Sequence, residues 1–249
     1  TFETAHGYAS LAGARGRFDY NLFGDQFNTN GQGPNAEYSN SLEGGNIGAT
    51  LNDRASLRLR VRHNNAFSGV PSEWKFNGAA LMPPDSDQWQ RQSNLLGSVE
   101  LNIAGPSRWT HRLTGFEYNH HRTNVDSVDD PGRIFDTPFH SIADINRAGF
   151  EYQGDYIQRT WARANSGYEF EDENGFTGDL LYPPTLHGLR LNQAVYGQEM
   201  LTLGRLSVVA GARFVHNATF GNKGVPRVAL GLQVLRGGSI FSGTRMRFS

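Results

Sequence analysis

The chain has 249 residues, a formal net charge of −1, 30 glycines and no cysteine. The absence of cysteine excludes disulfides, thiolate metal sites and a cysteine nucleophile, and the near-neutral charge argues against nucleic acid as a partner. No apolar run approaches the roughly 18 residues that a membrane-spanning helix requires, so the sequence predicts no such helix.

Twelve stretches in which apolar and polar residues alternate predict β-strands, because successive side chains of a strand point to opposite faces. In chain order the predicted spans are 2–14, 17–27, 38–51, 55–69, 88–103, 107–122, 140–153, 156–171, 187–203, 205–217, 226–235 and 240–249. The clearest is Ala-Ser-Leu-Arg-Leu-Arg-Val-Arg at 55–62, which puts Arg58, Arg60 and Arg62 on one face. Strands with one apolar and one polar face are typical of a sheet between two solvents, as in an outer-membrane barrel.

The connections between the predicted strands alternate in length. Short turns are predicted at 15–16, 52–54, 104–107, 154–155, 204 and 236–239, and longer loops at 28–37, 70–87, 123–139, 172–186 and 218–225. Outer-membrane barrels have short turns at the periplasmic rim and longer loops at the extracellular rim. The sequence therefore favours an all-β, up-and-down antiparallel transmembrane barrel. A soluble β-sandwich or propeller also alternates and is the competing interpretation.

Aromatic residues occur near several predicted strand ends, where an interfacial girdle would place them. They are Phe18, Tyr20, Phe67, Trp89, Trp109, Tyr118, Tyr152, Trp161 and Phe214. Aromatic residues are also common in strands generally, so this feature is only consistent with the barrel.

Three aromatic residues, Trp74, Phe76 and Trp89, flank the second long loop. Exposed rings at such a place can stack on a planar ligand, although they also mark interaction surfaces in general. We predict these three residues as the ligand-capture site.

Carboxylates are concentrated in the third long loop, at Asp126, Asp129, Asp130 and Asp136. Calcium takes oxygen ligands of this kind, so these residues are the candidate calcium site. Their spacing matches no defined calcium loop, and solvated acids are the simpler interpretation. No other cofactor is predicted.

Arginines on the polar sides of the strands have two interpretations. They are Arg58, Arg60, Arg62, Arg213, Arg245 and Arg247. They either steer anionic ligands or form ion pairs with Glu100, Glu117, Glu151 and Glu199 on neighbouring strands or with a domain docked inside, and the sequence favours the ion pairs.

Motifs for catalysis are not found. His120 and His121 are adjacent on a predicted strand and should point to opposite faces, which argues against one shared metal ion. The sequence contains no Gly-x-Ser-x-Gly elbow and no phosphate-binding glycine-rich loop of the right spacing. We therefore predict that the protein is not an enzyme.

Several stretches, taken in order, are similar to successive hairpins of one barrel family. They are 7–13 (Gly-Tyr-Ala-Ser-Leu-Ala-Gly), 18–20 (Phe-Asp-Tyr), 46–48 (Asn-Ile-Gly), 192–198 (Asn-Gln-Ala-Val-Tyr-Gly-Gln), 206–214, 220–221, 226–230 and 243–249. The chain resembles the TonB-dependent outer-membrane receptors, and most closely the cobalamin and siderophore transporter type. Individual motifs are loose, so their order and spacing carry the resemblance.

The resemblance implies a barrel of 22 strands whose lumen is filled by an N-terminal plug domain. It also implies a location in the bacterial outer membrane, uptake of a bulky nutrient such as an iron-siderophore or cobalamin, and action by the TonB complex on the plug. The expected partners are bilayer lipid, the plug, the TonB complex and the nutrient. Residues 1–249 are expected to form one partial barrel domain from the middle of a longer receptor.

Three alternatives to an energised receptor remain. One is a passive porin, and another is a closed barrel of twelve strands, since any even strand number from 8 upward closes. The third is a surface barrel with an enzymatic or adhesive function.

Overall fold

A computed structural model describes residues 2–71, 86–128, 138–236 and 243–248, and its regular secondary structure consists of twelve β-strands. These are β1 (Ala5–Arg15), β2 (Phe18–Thr29), β3 (Tyr38–Asn52), β4 (Ala55–Gly69), β5 (Trp89–Ala104), β6 (Trp109–Asp126), β7 (Phe139–Arg159), β8 (Ala162–Asp179), β9 (Leu186–Leu203), β10 (Leu206–Asn217), β11 (Gly221–Arg236) and β12 (Gly243–Phe248). The described residues contain no helix that is both long and apolar enough to cross a membrane.

Each strand pairs antiparallel with the strand before it and the strand after it in the chain, in the order β1 to β12. The predicted all-β, up-and-down antiparallel architecture is therefore confirmed. Within the described ranges no ladder joins β1 to β12, so the sheet is open and does not form the alternative closed barrel of twelve strands.

The sheet buries almost no apolar side chains within the chain. Of the hydrophobic residues that the structure describes, only Ala66, Ala162 and Ala194 are buried, whereas Leu59 and Val61 are 47% and 55% exposed. A soluble sandwich would bury the apolar faces of two sheets against each other. The large exposed apolar surface instead indicates contact with lipid or with another apolar surface.

Two of the short turns contain glycines that the backbone geometry requires. The β1–β2 turn has Gly16 at φ +62°, and the β9–β10 turn has Gly204 at φ +63°. Two-residue hairpin turns need a positive φ at the first central position, which glycine adopts without side-chain strain.

The predicted turn at Gly154–Asp155 is wrong. Strand β7 continues through it to Arg159, and Gly154 pairs with His111 on β6 and with Ser166 on β8. Ladder hydrogen bonds on both sides outweigh the local turn preference of the Gly-Asp dipeptide. The chain turns instead at residues 160–161.

Two predicted long loops are shorter than expected. Strand β8 runs to Asp179, so the loop predicted at 172–186 is reduced to 180–185, and the loop predicted at 218–225 is reduced to 218–220. In β8 the polar run that suggested a loop is satisfied by cross-strand partners, such as Glu173 with Arg190.

Candidate functional site

The strand register assigns every side chain to one of two faces, because residues directly opposite in an antiparallel pair share a face. Arg60 pairs with Asn46 on β3 and Ser98 on β5, whereas Leu59 pairs with Ile47 and Val99. We call the side of Arg60 the polar face and the side of Leu59 the apolar face.

Arginines of β4 are held on the polar face by side chains of β2, β3 and β5. The guanidinium of Arg58 donates to both carboxylate oxygens of Asp19 at 2.9 and 3.1 Å and also to Asn46. Arg60 donates to Glu100 at 3.2 Å. These contacts agree with the ion-pair interpretation of the arginines.

Strand β8 carries three glutamates at alternate positions on the polar face, and each accepts a hydrogen bond from an arginine of another strand. The pairs are Glu169 with Arg213 on β10, Glu171 with Arg147 on β7, and Glu173 with Arg190 on β9, at N–O distances of 2.5, 2.5 and 2.7 Å. The three arginine side chains remain 43–44% exposed. Water therefore reaches these pairs, and each contributes only about 0.2–1 kcal/mol.

Two of the acids predicted to pair with the polar-face arginines lie on the apolar face. Glu117 pairs in register with Gly97 and Ala148, and its side chain accepts from Asn119 on the apolar face. Glu199 also lies on the apolar face, where Gln158 donates to it at 3.0 Å. The expected pairing of polar-face arginines with Glu117 and Glu199 is therefore wrong, because the strand register separates them.

Glu151 does lie on the polar face, but it is not the hydrogen-bond partner of Arg213. It sits opposite Glu169 in the β7–β8 pair, and Glu169 receives both hydrogen bonds from the Arg213 guanidinium, at 2.6 and 2.5 Å. The side chain of Arg245 lies outside the described residues.

Of the predicted ligand-capture residues, the structure describes Trp89, while Trp74 and Phe76 lie outside the described residues. Trp89 begins β5 and stacks on Phe67 with 6.1 Å between ring centroids. The guanidinium of Arg91 lies 5.9 Å from each of these two rings. Trp89 is therefore part of a small aromatic and cationic cluster next to the second long loop.

Of the predicted calcium ligands, the structure describes Asp126, which ends β6 and is 6% exposed. Asp129, Asp130 and Asp136 lie outside the described residues. No group of three or more metal-binding side chains is found in the part of the chain that is described. The calcium site stays a prediction.

The histidine pair occupies opposite faces, as the alternation predicts. His120 lies on the polar face, 2.6 Å from the Asn94 side-chain oxygen, and His121 lies on the apolar face, bonded to Asp144. The two rings cannot share one ion.

The apolar face changes character along several strands. Near the short turns it is apolar, as in Leu57, Leu59 and Val61 of β4 or alternate residues from Leu206 to Phe214 of β10; we call this region the apolar band. About nine strand residues at about 3.3 Å each, tilted by about 45°, give a height of about 21 Å, comparable with the apolar band of outer-membrane barrels.

Nearer the long loops the same face becomes polar, and we call this region the upper belt. It includes His63 and Asn65 on β4, Asn119 and His121 on β6, Asp144 and Asn146 on β7, and Asn174 on β8. The apolar band therefore ends well before the strands do.

Aromatic rings border the apolar band at its short-turn end. Trp109 stacks on Tyr156 with 4.6 Å between ring centroids, and the phenol of Tyr152 lies 2.9 Å from the His111 ring. Trp161, in the β7–β8 turn, is 48% exposed. Amphipathic rings at this level are typical of the boundary between hydrocarbon and water.

No family model matches the sequence, and no curated protein matches it. Solved structures do match. The unliganded ferric citrate transporter FecA is 11% identical with a TM-score of 0.72, and the match covers 94% of this chain and 39% of FecA. The alcaligin outer-membrane receptor FauA from Bordetella pertussis is 11% identical with a TM-score of 0.73, covering 95% of this chain and 40% of FauA.

A third match is the FrpB iron transporter from Neisseria meningitidis, at 11% identity and a TM-score of 0.68, covering 93% of this chain and 43% of FrpB. The chain thus has the fold of one part of these transporters and receptors, and it spans about two fifths of their length. The predicted resemblance is confirmed at the level of the fold.

Proposed function

We propose that the chain is a wall segment of a TonB-dependent receptor in the bacterial outer membrane, which takes up a bulky nutrient such as an iron-siderophore or cobalamin. The observation that carries this proposal is a twelve-stranded meander with an exposed apolar band on one face and ion pairs exposed to water on the other. Matches to solved outer-membrane transporters of the same fold support it.

In this proposal the apolar band contacts acyl chains. Side chains such as Leu59, Val195 and Phe214 are 47%, 50% and 62% exposed, and none of the described residues covers them. Removing apolar surface from water is favourable by about 25 cal/mol per Å², so lipid contact stabilises this face. The rim with the short turns is then periplasmic and the rim with the longer loops extracellular.

The polar face lines the interior. The arginines that pair with β8 keep 43–44% of their side-chain surface exposed, which fits contact with water or with the polar surface of a plug domain. We propose that residues 1–249 form part of a larger barrel domain, and that the plug and the TonB complex are partners of the complete receptor.

The capture surface is proposed to lie at the long-loop rim, with Trp74, Phe76 and Trp89 contacting the nutrient. Calcium bound by Asp126, Asp129, Asp130 and Asp136 is a further proposal for the third long loop. Trp89 is the first residue of β5, next to the second long loop, and by register it lies on the same face as Leu59.

Uptake by cells that produce the full-length protein tests the function. We expect the protein in the outer-membrane fraction, and accumulation of a labelled ferric siderophore or cyanocobalamin only in cells with an active TonB complex. Uptake of small solutes that is independent of TonB would instead support the porin alternative. Outer-membrane location without any transport would support the enzymatic or adhesive alternative.

A further inference from the structure

A groove of about 490 Å³ lies on the upper belt, across strands β5 to β9, and one row of side chains separates it from the apolar band. Two register rows of side chains form it. The lower row reads Leu95, Asn119, Asn146, Asn174 and Leu189. The upper row reads Ser93, His121, Asp144, Phe176 and His187.

The asparagines of the lower row are held in place by one another. The Asn146 amide donates to the Asn119 oxygen at 2.5 Å and to Glu117 at 3.3 Å, and Asn119 donates to Glu117 at 3.2 Å. Among the described residues no hydrogen bond to the side-chain oxygen of Asn146 is found, so this oxygen is available as an acceptor. The Asn174 amide is exposed and has no side-chain partner among the described residues, so it offers both donors and an acceptor.

The upper row adds an aromatic wall and a second set of polar atoms. The Phe176 and His187 rings lie 5.8 Å apart between centroids. Asp144 bonds His121 through one carboxylate oxygen, which leaves its other oxygen available as an acceptor. Aromatic rings beside free donors and acceptors present both an apolar surface and hydrogen-bonding groups to a ligand.

Charge decides which ligand suits this groove. Of the described residues that line it, none is lysine or arginine, and the adjacent row below contains the carboxylates Glu117 and Asp172. Phosphate groups are bound by arginine or lysine, and the nearby carboxylates would repel them. Hydroxyl groups need no cation, because each one can both donate to and accept from amides and carboxylates.

The groove lies close to the part of the sheet that is proposed to contact the bilayer. Leu95 and Leu189 close the two ends of the lower row. Below the row that contains Glu117 and Asp172, Val99 on β5 and Phe150 on β7 belong to the apolar band. We propose that the groove binds the neutral sugar headgroup of a glycolipid whose acyl chains lie along the apolar band. This assignment rests on the membrane orientation under the proposed function.

Lipid retention by the full-length protein tests the assignment. The protein is purified in a polyoxyethylene detergent, which carries no sugar, and placed in nanodiscs that contain glucosyl diacylglycerol or phosphatidylglycerol. Bound lipid is then counted by native mass spectrometry after a mild detergent wash. We expect glucosyl diacylglycerol to be retained in preference to phosphatidylglycerol.

The matched variants keep side-chain size while removing hydrogen bonds. Combined N146L and N174L should lower glycolipid retention by about tenfold, because two hydrogen bonds to the sugar are lost. N65L is the control, since Asn65 is exposed on the same belt outside the groove. Preferred retention of phosphatidylglycerol, or equal retention by the double variant, would overturn the assignment. The assignment would also be overturned if free glucose displaced the bound glycolipid as effectively as additional glycolipid does.

Membrane insertion is measured separately, through heat-modifiable migration of the same samples on gels. A protein that inserts but retains no glycolipid contradicts this inference alone. Failure of the unmodified protein to insert contradicts the proposed function as well.

Discussion

The two faces of strand β4 show how one short sequence meets two different solvents. Arg58 on the polar face is fixed by Asp19 of β2 and Asn46 of β3, whereas Leu59 on the apolar face is 47% exposed. The charge of Arg58 is therefore satisfied within the protein, whereas no described residue covers Leu59. The two-residue period of the sequence therefore indicates the environment of each face.

A charge placed in the apolar band should have the largest effect on stability. Leu59→Arg should lower the free energy of unfolding of the full-length receptor in lipid vesicles by about 2–4 kcal/mol, because the guanidinium would enter hydrocarbon. Guanidinium titration followed by tryptophan fluorescence measures it. The matched control is Asn65→Arg, on the same strand and face but in the upper belt, where we expect about 0–1 kcal/mol. An equal loss of unfolding free energy for the two variants would show that the apolar band does not end between residues 59 and 65.

Loss of a ring at the short-turn border should have an intermediate effect. Trp109→Ala removes the stack on Tyr156 and should cost about 0.5–1.5 kcal/mol beyond the lost burial, by the same unfolding assay. Trp161→Ala serves as the control, since Trp161 makes no ring contact with any described residue. A larger loss for Trp161 than for Trp109 would mean that stacking does not stabilise this border.

An ion pair on the polar face should contribute least. A double-mutant cycle with Arg213→Ala and Glu169→Ala should give a coupling energy of about 0.2–1 kcal/mol, because both side chains are at least one third exposed to water. The coupling should fall as salt is raised from 0.05 to about 0.5 M, since exposed charges are screened. A coupling well above this range that is insensitive to salt would place the pair in a dry environment and contradict an aqueous interior.

The sequence predicts the period of the strands better than their ends. Strand β4 matches its predicted span because Asp53 and Arg54 form a true turn before it. Strand β7 passes through Gly154 because pairing with both neighbours, which no local signal reveals, decides the structure there. Above the apolar band both faces of β8 are largely polar, so the sequence predicts that this strand ends near residue 171. In the structure it continues to Asp179.

The ion pairs of the polar face depend on strand register, which the sequence alone does not reveal. The sequence predicts an ion pair between Arg213 and an acid of a neighbouring strand, with Glu151 and Glu199 among the candidates, whereas the structure pairs Arg213 with Glu169, which lies two strands away on β8. The row of asparagines at 119, 146 and 174 is likewise invisible in the sequence, because its members come from three strands and meet only through pairing.

Single cysteines at successive positions from 57 to 65 of the full-length protein in vesicles test the central claim most directly. This chain contributes no cysteine of its own to the background. We expect a water-soluble maleimide to label positions 58, 60 and 62 and to spare 57, 59 and 61, with labelling resuming on the apolar face at 63 and 65. Labelling of 57, 59 and 61 together with protection of the arginine positions would contradict an apolar band in contact with lipid.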